Sequence, residues 1–333
     1  MAVFFLCLVM LTGSVFAATD RDRCLTDALA TAGNSVTVGE LRASCAADAE
    51  DQGPGSTASP VADALVNSDN QSLLQQRLTT DYENTSREYV IMTHRPNYIT
   101  YSYNSHVNQA PFEEESGLDE PLDDEEVKFQ VSFKMPLSRD LFGTSTDAFF
   151  AYTATSWWQT FNDDVSNPFR ETNYEPELFI RHYGGPEFLG MRIAGWDLGF
   201  NHQSNGRSGD LSRSWNRLYG TLGFDRGDLA LTVKAWYRIP EDDEDDDNPH
   251  MRRYYGAGEA RAIWAPNKNT FTAMLRPGTE ENAVELTWSY QISDYIRLYS
   301  QYFNGYGESL IDYNVRTERI GIGFALNDFL QNN

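Results

Sequence analysis

The 333-residue chain contains no internal run approaching the ~20 consecutive apolar residues that a membrane helix requires, and its mean hydropathy is −0.52. A helical membrane protein is therefore excluded. Positive charge is scarce: 26 Lys and Arg residues stand against 49 Asp and Glu, for a net charge of −23. Nucleic acid is bound through clustered Lys and Arg, so it is excluded as a partner. Cysteine is limited to Cys7, Cys24 and Cys45, without the paired spacing of a zinc site. The glycine fingerprints of dinucleotide-binding and phosphate-cradling loops are absent as well.

The one long apolar segment, Ala2 to Ala18, ends in small residues and predicts a secretory signal peptide over 1–18, although no Lys or Arg precedes it. The competing reading is a buried N-terminal strand. Cleavage would remove Cys7 and leave Cys24 and Cys45 as an even pair, which in an exported chain predicts a disulfide. Helix-compatible patterns on either side of Gly33-Asn34 make residues 19–50 a stapled helical hairpin, expected in the periplasm. Ser, Asp, Gln and Gly then dominate, predicting a linker over 51–84. Two acidic runs, Glu113 to Glu126 and Glu241 to Asp247, read as solvated loops. A secondary reading is loose attraction of divalent cations at the cell surface.

Over 85–333 the dominant period is two. Phe129, Val131, Phe133 and Met135 alternate with Lys128, Gln130, Ser132 and Lys134, and Val284, Leu286, Trp288 and Tyr290 with Glu285, Thr287 and Ser289. Such two-faced, aromatic-rich segments separated by turns are the pattern of a membrane barrel. Candidates fall near 86–104, 127–137, 147–161, 176–184, 189–204, 214–225, 228–240, 252–266, 268–278, 282–292, 295–306 and 318–330. The fold expected is all-β, a twelve-stranded antiparallel transmembrane barrel, with connections that are mostly long after odd strands and mostly short after even ones. A soluble β-sandwich would not carry so many aromatics on one outer face. The inward charges Lys128, Lys134, Lys234, Arg217, Arg238, Glu285 and Arg297 would fill the lumen in pairs.

Alternation places Trp196, Leu198, Phe200, His202 and Ser204 on one face, and Asn216, Leu218, Gly220, Leu222 and Phe224 on the matching face of the next strand. If Ser204 pairs with Ser214, antiparallel register sets His202 opposite Asn216. A serine, an imidazole and an orienting acceptor are the parts of nucleophilic catalysis. The bland alternative is a hydrogen-bonded trio near the lipid headgroups, which spacing alone favours. His94, His106, His182 and His250 have no such partners in sequence and read as structural or surface residues.

The block His202-Gln203-Ser204-Asn205-Gly206-Arg207 with Ser212-Arg213-Ser214-Trp215-Asn216-Arg217 resembles the signature of the outer-membrane phospholipase A family. So do Asn167-Pro168-Phe169-Arg170-Glu171-Thr172-Asn173-Tyr174-Glu175-Pro176 and Gly305-Tyr306-Gly307-Glu308-Ser309-Leu310-Ile311-Asp312-Tyr313-Asn314. The resemblance implies a Gram-negative outer-membrane barrel with its N-terminus in the periplasm. It implies an ester hydrolase acting on phospholipids and lysophospholipids, calcium-dependent and active as a homodimer. It makes Ser204 the nucleophile, His202 the general base and acid, and Asn216 the orienting residue. It assigns calcium to Ser166 of one subunit and the carbonyls of Arg207 and Ser212 of the other. Many relatives read Arg-Ser-Asp-Pro where this chain has Arg207-Ser208-Gly209-Asp210, so the family's carboxylate position is not matched here and substitution by Asp210 stays an open alternative. Glu308 and Asp312 are expected to make loop and rim hydrogen bonds. The runner-up function is a passive pore or structural barrel without activity.

Overall fold

The computed structural model describes residues 71–87, 89–112, 122–163, 167–242 and 246–330. The signal peptide, Cys24, Cys45, the hairpin and Ser166 lie outside the described residues.

Twelve strands carry the alternating pattern. They are β1 (Tyr98–Asn104), β2 (Glu125–Ser138), β3 (Thr146–Trp158), β4 (Phe169–Tyr183), β5 (Met191–Ser204) and β6 (Ser214–Arg226), followed by β7 (Leu229–Arg238), β8 (Gly258–Trp264), β9 (Asn269–Pro277), β10 (Asn282–Gln291), β11 (Arg297–Tyr306) and β12 (Arg316–Ala325). Each pairs antiparallel with its neighbour in sequence, and β12 returns to β1 from Arg319↔Asn104 to Ala325↔Tyr98, closing the barrel without an edge. Val131, Leu198, Leu218, Leu286 and Ile320 are exposed on the outer wall, while Lys128, Ser132 and Lys134 are buried. The expected facing is therefore the observed one.

Three boundaries differ most from expectation. The strand expected over 86–104 begins only at Tyr98, because Pro96 has no N–H to give a ladder and Asn97 is tied by its side chain to Ser132 O at 3.1 Å and Asn327 Oδ1 at 2.8 Å. Upstream, only Met92–Thr93 pairs with β2, at Lys134 and Phe133. The strand expected to open at Pro176 instead begins at Phe169. Pro176 sits where the β4–β5 ladder skips from Tyr174↔Ser204 to Glu177↔Asn201. The first part of 252–266 is a short helix, α2 (Met251–Tyr255). Gly256, at φ +64°, turns the chain out of it; a Cβ there would meet Pro277 O at 1.8 Å.

The expected linker also ends in structure, a helix here called α1 (Leu73–Asn84), which Ser72 caps by accepting from Gln75 N. Leu78 and Tyr82 pack on Tyr183 and Ala194, and Leu74 on Ala230 and Ile263, so α1 closes the short-turn end of the barrel. Asp81 is buried against Lys134 and Arg181, and Ser72 bonds Asp225. Burial alone would raise the Asp81 carboxyl, but Lys134, Arg77 and Arg181 hold it below its ordinary value of 3.8. A polar composition that reads as a linker here encodes a plug whose buried charges find partners on the barrel wall.

Charge pairs line and cross the lumen. At mid-height Arg95 donates to Glu175 at 2.7 and 2.8 Å and to Glu177 at 2.5 Å, Arg217 reaches Glu175 at 2.7 Å, and His94 meets Glu177 at 3.1 Å. Nearer the long-loop end Arg170 bridges Glu126 and Asp312, each at 2.5 Å, and Arg319 bridges Glu126 at 2.7 Å and Glu308 at 2.9 Å. Burial would push Glu308 up, but Arg319 and Lys128 hold its carboxyl down at about 2. Glu308 and Asp312 thus anchor the loop between β11 and β12 by buried ion pairs, and Asp312 also makes the loop hydrogen bonds expected of it, accepting from Ser309 Oγ at 2.8 Å and Asn108 Nδ2 at 3.1 Å.

Candidate active site

The hairpin of β5 and β6 pairs Ser204 with Ser214, Gln203 with Trp215 and His202 with Asn216. Trp215 is buried in the lumen, where its indole donates to Gln203 Oε1 at 2.9 Å and packs edge-on against Tyr255. With residues 203 and 215 pointing in, pleating turns 202, 204, 214 and 216 out. His202, Ser204 and Asn216 are each half-buried on the outer wall, at the end carrying the long connections.

His202 Nδ1 lies 2.9 Å from Asn216 Oδ1. An amide oxygen only accepts, so this contact puts the imidazole proton on Nδ1 and leaves Nε2 to take a proton from elsewhere. Ser204 occupies the next outward position of the same strand. Below the three, Leu178, Leu198 and Leu218 help line a shallow apolar depression of about 540 Å³.

One neighbour escaped the sequence reading. Asn216 Nδ2 donates to Glu241 Oε1 at 3.1 Å, and the second oxygen of Glu241 lies 3.5 Å from Arg238, itself 2.6 Å from Asp246. Partial burial raises the Glu241 carboxyl above its ordinary value, Asp246 adds to this, and Arg238 and Asn216 oppose it. The signal was available: Ile239 N bonds Asn216 O at 2.8 Å, continuing the β6–β7 ladder, so the alternation that turns Asn216 outward turns Glu241 outward too.

The loop from Asn205 to Arg213 is organised by Asn205, whose Oδ1 accepts from Arg213 N at 3.0 Å and whose Nδ2 donates to Leu211 O at 2.8 Å. Arg207 and Ser212, the expected calcium carbonyls, are thereby held in one loop beside Ser204. Asp210 is exposed, and Ser212 Oγ donates to Asp247 at 2.6 Å. Ser212 O already accepts from the Arg213 guanidinium at 2.5 Å, so this carbonyl is turned toward positive charge. Among the described residues no three carboxylate, imidazole or thiol groups converge on a metal position. A cation at this loop would draw on carbonyl, hydroxyl and single carboxylate oxygens, hard donors of the type calcium takes.

A family model described as phospholipase A1 matches residues 74–326. Phospholipase A1 of Escherichia coli (strain K12) is 39% identical over 234 residues, covering 70% of this chain and 80% of the relative. That of Klebsiella pneumoniae is 37% identical over 253 residues, covering 75% and 86%. Among solved structures, the barrel matches outer membrane phospholipase A from Escherichia coli at 37% identity and a TM-score of 0.68, over 72% of this chain and 100% of that one. It matches the Salmonella typhi outer membrane phospholipase, described as a dimer with bound calcium, at 36% identity and a TM-score of 0.70, over 74% and 97%. A further Escherichia coli structure, 34% identical with a TM-score of 0.69 over 80% and 97%, is described as an active-site mutant in which an asparagine is replaced by alanine.

Proposed function

This chain belongs to the phospholipase A1 family, a carboxylic ester hydrolase of the outer membrane, and on that premise we propose that it cleaves acyl esters of phospholipids and lysophospholipids with Ser204, His202 and Asn216. The observation that carries this reading is the His202–Asn216 hydrogen bond at 2.9 Å on the outer wall, one outward position from Ser204. Polar and ionisable groups on a lipid-facing wall are costly and mark function.

Ser204 Oγ attacks the acyl carbonyl carbon while His202 Nε2 takes its proton. Asn216 Oδ1 holds Nδ1–H and steadies the imidazolium that results. Collapse of the tetrahedral species breaks the ester bond, and His202 returns the proton to the departing glyceryl oxygen. Water, deprotonated by His202, then releases the fatty acid and restores Ser204. The apolar depression lined by Leu178, Leu198 and Leu218 suits an acyl chain lying along the wall. The carbonyls of Arg207 and Ser212, with Ser166 and Asp210 as further oxygens, would hold calcium from a homodimer, the state in which the Salmonella typhi relative is described. Bound there, the ion would supply positive charge for the carbonyl oxygen of the substrate. The N-terminus would lie in the periplasm, since α1 sits at the short-turn end.

Ser204→Ala should abolish fatty-acid release from detergent-dispersed phospholipid and lose labelling by a sulfonyl fluoride, while keeping the heat-modifiable migration of a folded barrel. Wild-type turnover in a folded Ser204→Ala protein would overturn the assignment.

A further inference from the structure

We propose that Glu241 is a positioning residue of the site, setting which end of the Asn216 side chain faces His202 and lending its charge to the imidazolium; this rests on the reading of Ser204, His202 and Asn216 as the catalytic group. An asparagine amide has two ends of nearly equal shape, one accepting and one donating. Only the oxygen end can receive Nδ1–H of His202. Nothing intrinsic to Asn216 selects that end, because a half-turn about its last bond would present the NH2 group to the imidazole.

Glu241 removes the choice. An ionised carboxylate only accepts, and its Oε1 lies 3.1 Å from Asn216 Nδ2. In the flipped amide two oxygens would face each other at Glu241, and the NH2 group could bond His202 only in the tautomer that accepts at Nδ1 and carries its proton on Nε2, where the base is needed. The line His202–Asn216–Glu241 thus ends in negative charge, with bonds of 2.9 and 3.1 Å. Hydrogen-bonded chains polarise along their length. A neutral amide backed in this way carries part of the charge that an aspartate would bring directly. Glu241 is itself held in place by Arg238, which closes on it at 3.5 Å and is braced by Asp246 at 2.6 Å and by Asn248 O at 3.1 Å. The acidic run read as a solvated loop therefore contributes one member to the site.

The test is a double-mutant cycle scored by initial rates on detergent-dispersed phospholipid, with heat-modifiable migration as the folding control. In the native background Glu241→Ala should lower kcat about tenfold, the size expected for losing one charge-assisted hydrogen bond, with KM unchanged within twofold. The isosteric Glu241→Gln, which keeps shape but not charge, should fall between. In the Asn216→Asp background the sign reverses. Two carboxylates then face each other, and adding Glu241→Gln should raise kcat above that of Asn216→Asp alone, because the new amide can donate to Asp at 216. A merely structural Glu241 would give the same direction of effect in both backgrounds. Unchanged kcat in Glu241→Ala, or a Glu241→Gln penalty of the same sign in both backgrounds, overturns the proposal. Ser204→Ala, run alongside, separates the two levels. Activity surviving that change refutes the catalytic assignment, whereas its loss together with normal kcat in the Glu241 variants refutes only the role of Glu241.

Discussion

Replacing Asn216 with Ala removes the acceptor of His202 Nδ1–H and leaves the imidazole free to rotate. The magnitude follows from what that bond is at each stage. With neutral histidine it joins two uncharged groups, but as Ser204 gives up its proton the donor becomes an imidazolium. A hydrogen bond to a charged group contributes about 1.5–3 kcal/mol. At about 1.4 kcal/mol per factor of ten, kcat should fall about 10- to 150-fold. This is shallower than the roughly 10⁴-fold loss seen when the aspartate of a Ser-His-Asp triad is neutralised, because Asn216 holds no charge of its own. Ser204→Ala should go deeper than Asn216→Ala, since it deletes the atom that forms the acyl bond. The assay is continuous titration of released fatty acid at saturating substrate, with folding checked by heat-modifiable migration. A loss under twofold would show that Asn216 does not orient His202, and a loss equal to that of Ser204→Ala would show that it does more than orient.

Chelation with EDTA should stop turnover and added calcium restore it, with Ser166→Ala raising the calcium needed for half-maximal rate and weakening calcium-promoted dimerisation. Full activity in EDTA, or full-rate calcium-saturated monomers, would remove the shared ion from the mechanism. In planar bilayers the protein should pass no steady current, because Arg95, Glu175, Glu177 and Arg217 bridge the lumen; resolved channel openings would revive the passive-pore reading. Asp81, held below its ordinary 3.8 by Lys134, Arg77 and Arg181 against the effect of burial, gives stability that is complete above that value and is lost as pH falls through its own lower one. Hydrogen-exchange protection across α1, measured relative to the intrinsic rate at each pH, should therefore drop only in that acid range, and a drop already at pH 6 would contradict the pairing. The unreduced mature chain should show a Cys24–Cys45 disulfide by mass spectrometry, and two free thiols would refute it.

The barrel was legible because its physics is local. Period two in Val127 to Met135 or Val284 to Tyr290 is written residue by residue, and lipid on one side with charge on the other leaves one register for each strand. The pairing of His202 with Asn216 was conditional on Ser204 standing opposite Ser214, and β5 and β6 adopt that register. What escaped depends on distant partners. Leu73–Asn84 shows little apolar bias of its own, and its helix is secured by Lys134, Arg181 and Asp225, residues far along the chain. Glu241 is indistinguishable in composition from the acids that follow it. Its place is set by extending the β6–β7 ladder one step past Arg238, to Ile239 opposite Asn216.

The two faces of the wall explain why the candidate chemistry lies outside the barrel. Inside, paired charges line and cross the lumen, and breaking one pair there costs about 3–5 kcal/mol because it strands the partner. A substrate entering the lumen would have to displace such pairs. Outside, the partners available are lipid, the neighbouring strand and, near the rim, the connecting loops. Polar groups on that face persist where they satisfy one another, as His202 and Asn216 do, or where they lie near the rim and reach a loop, as Asn216 does through Glu241. Ser204 is the next outward residue of the same strand as His202, on the outer wall. On the proposed reading, a nucleophile placed so would meet its substrate by lateral diffusion in the bilayer.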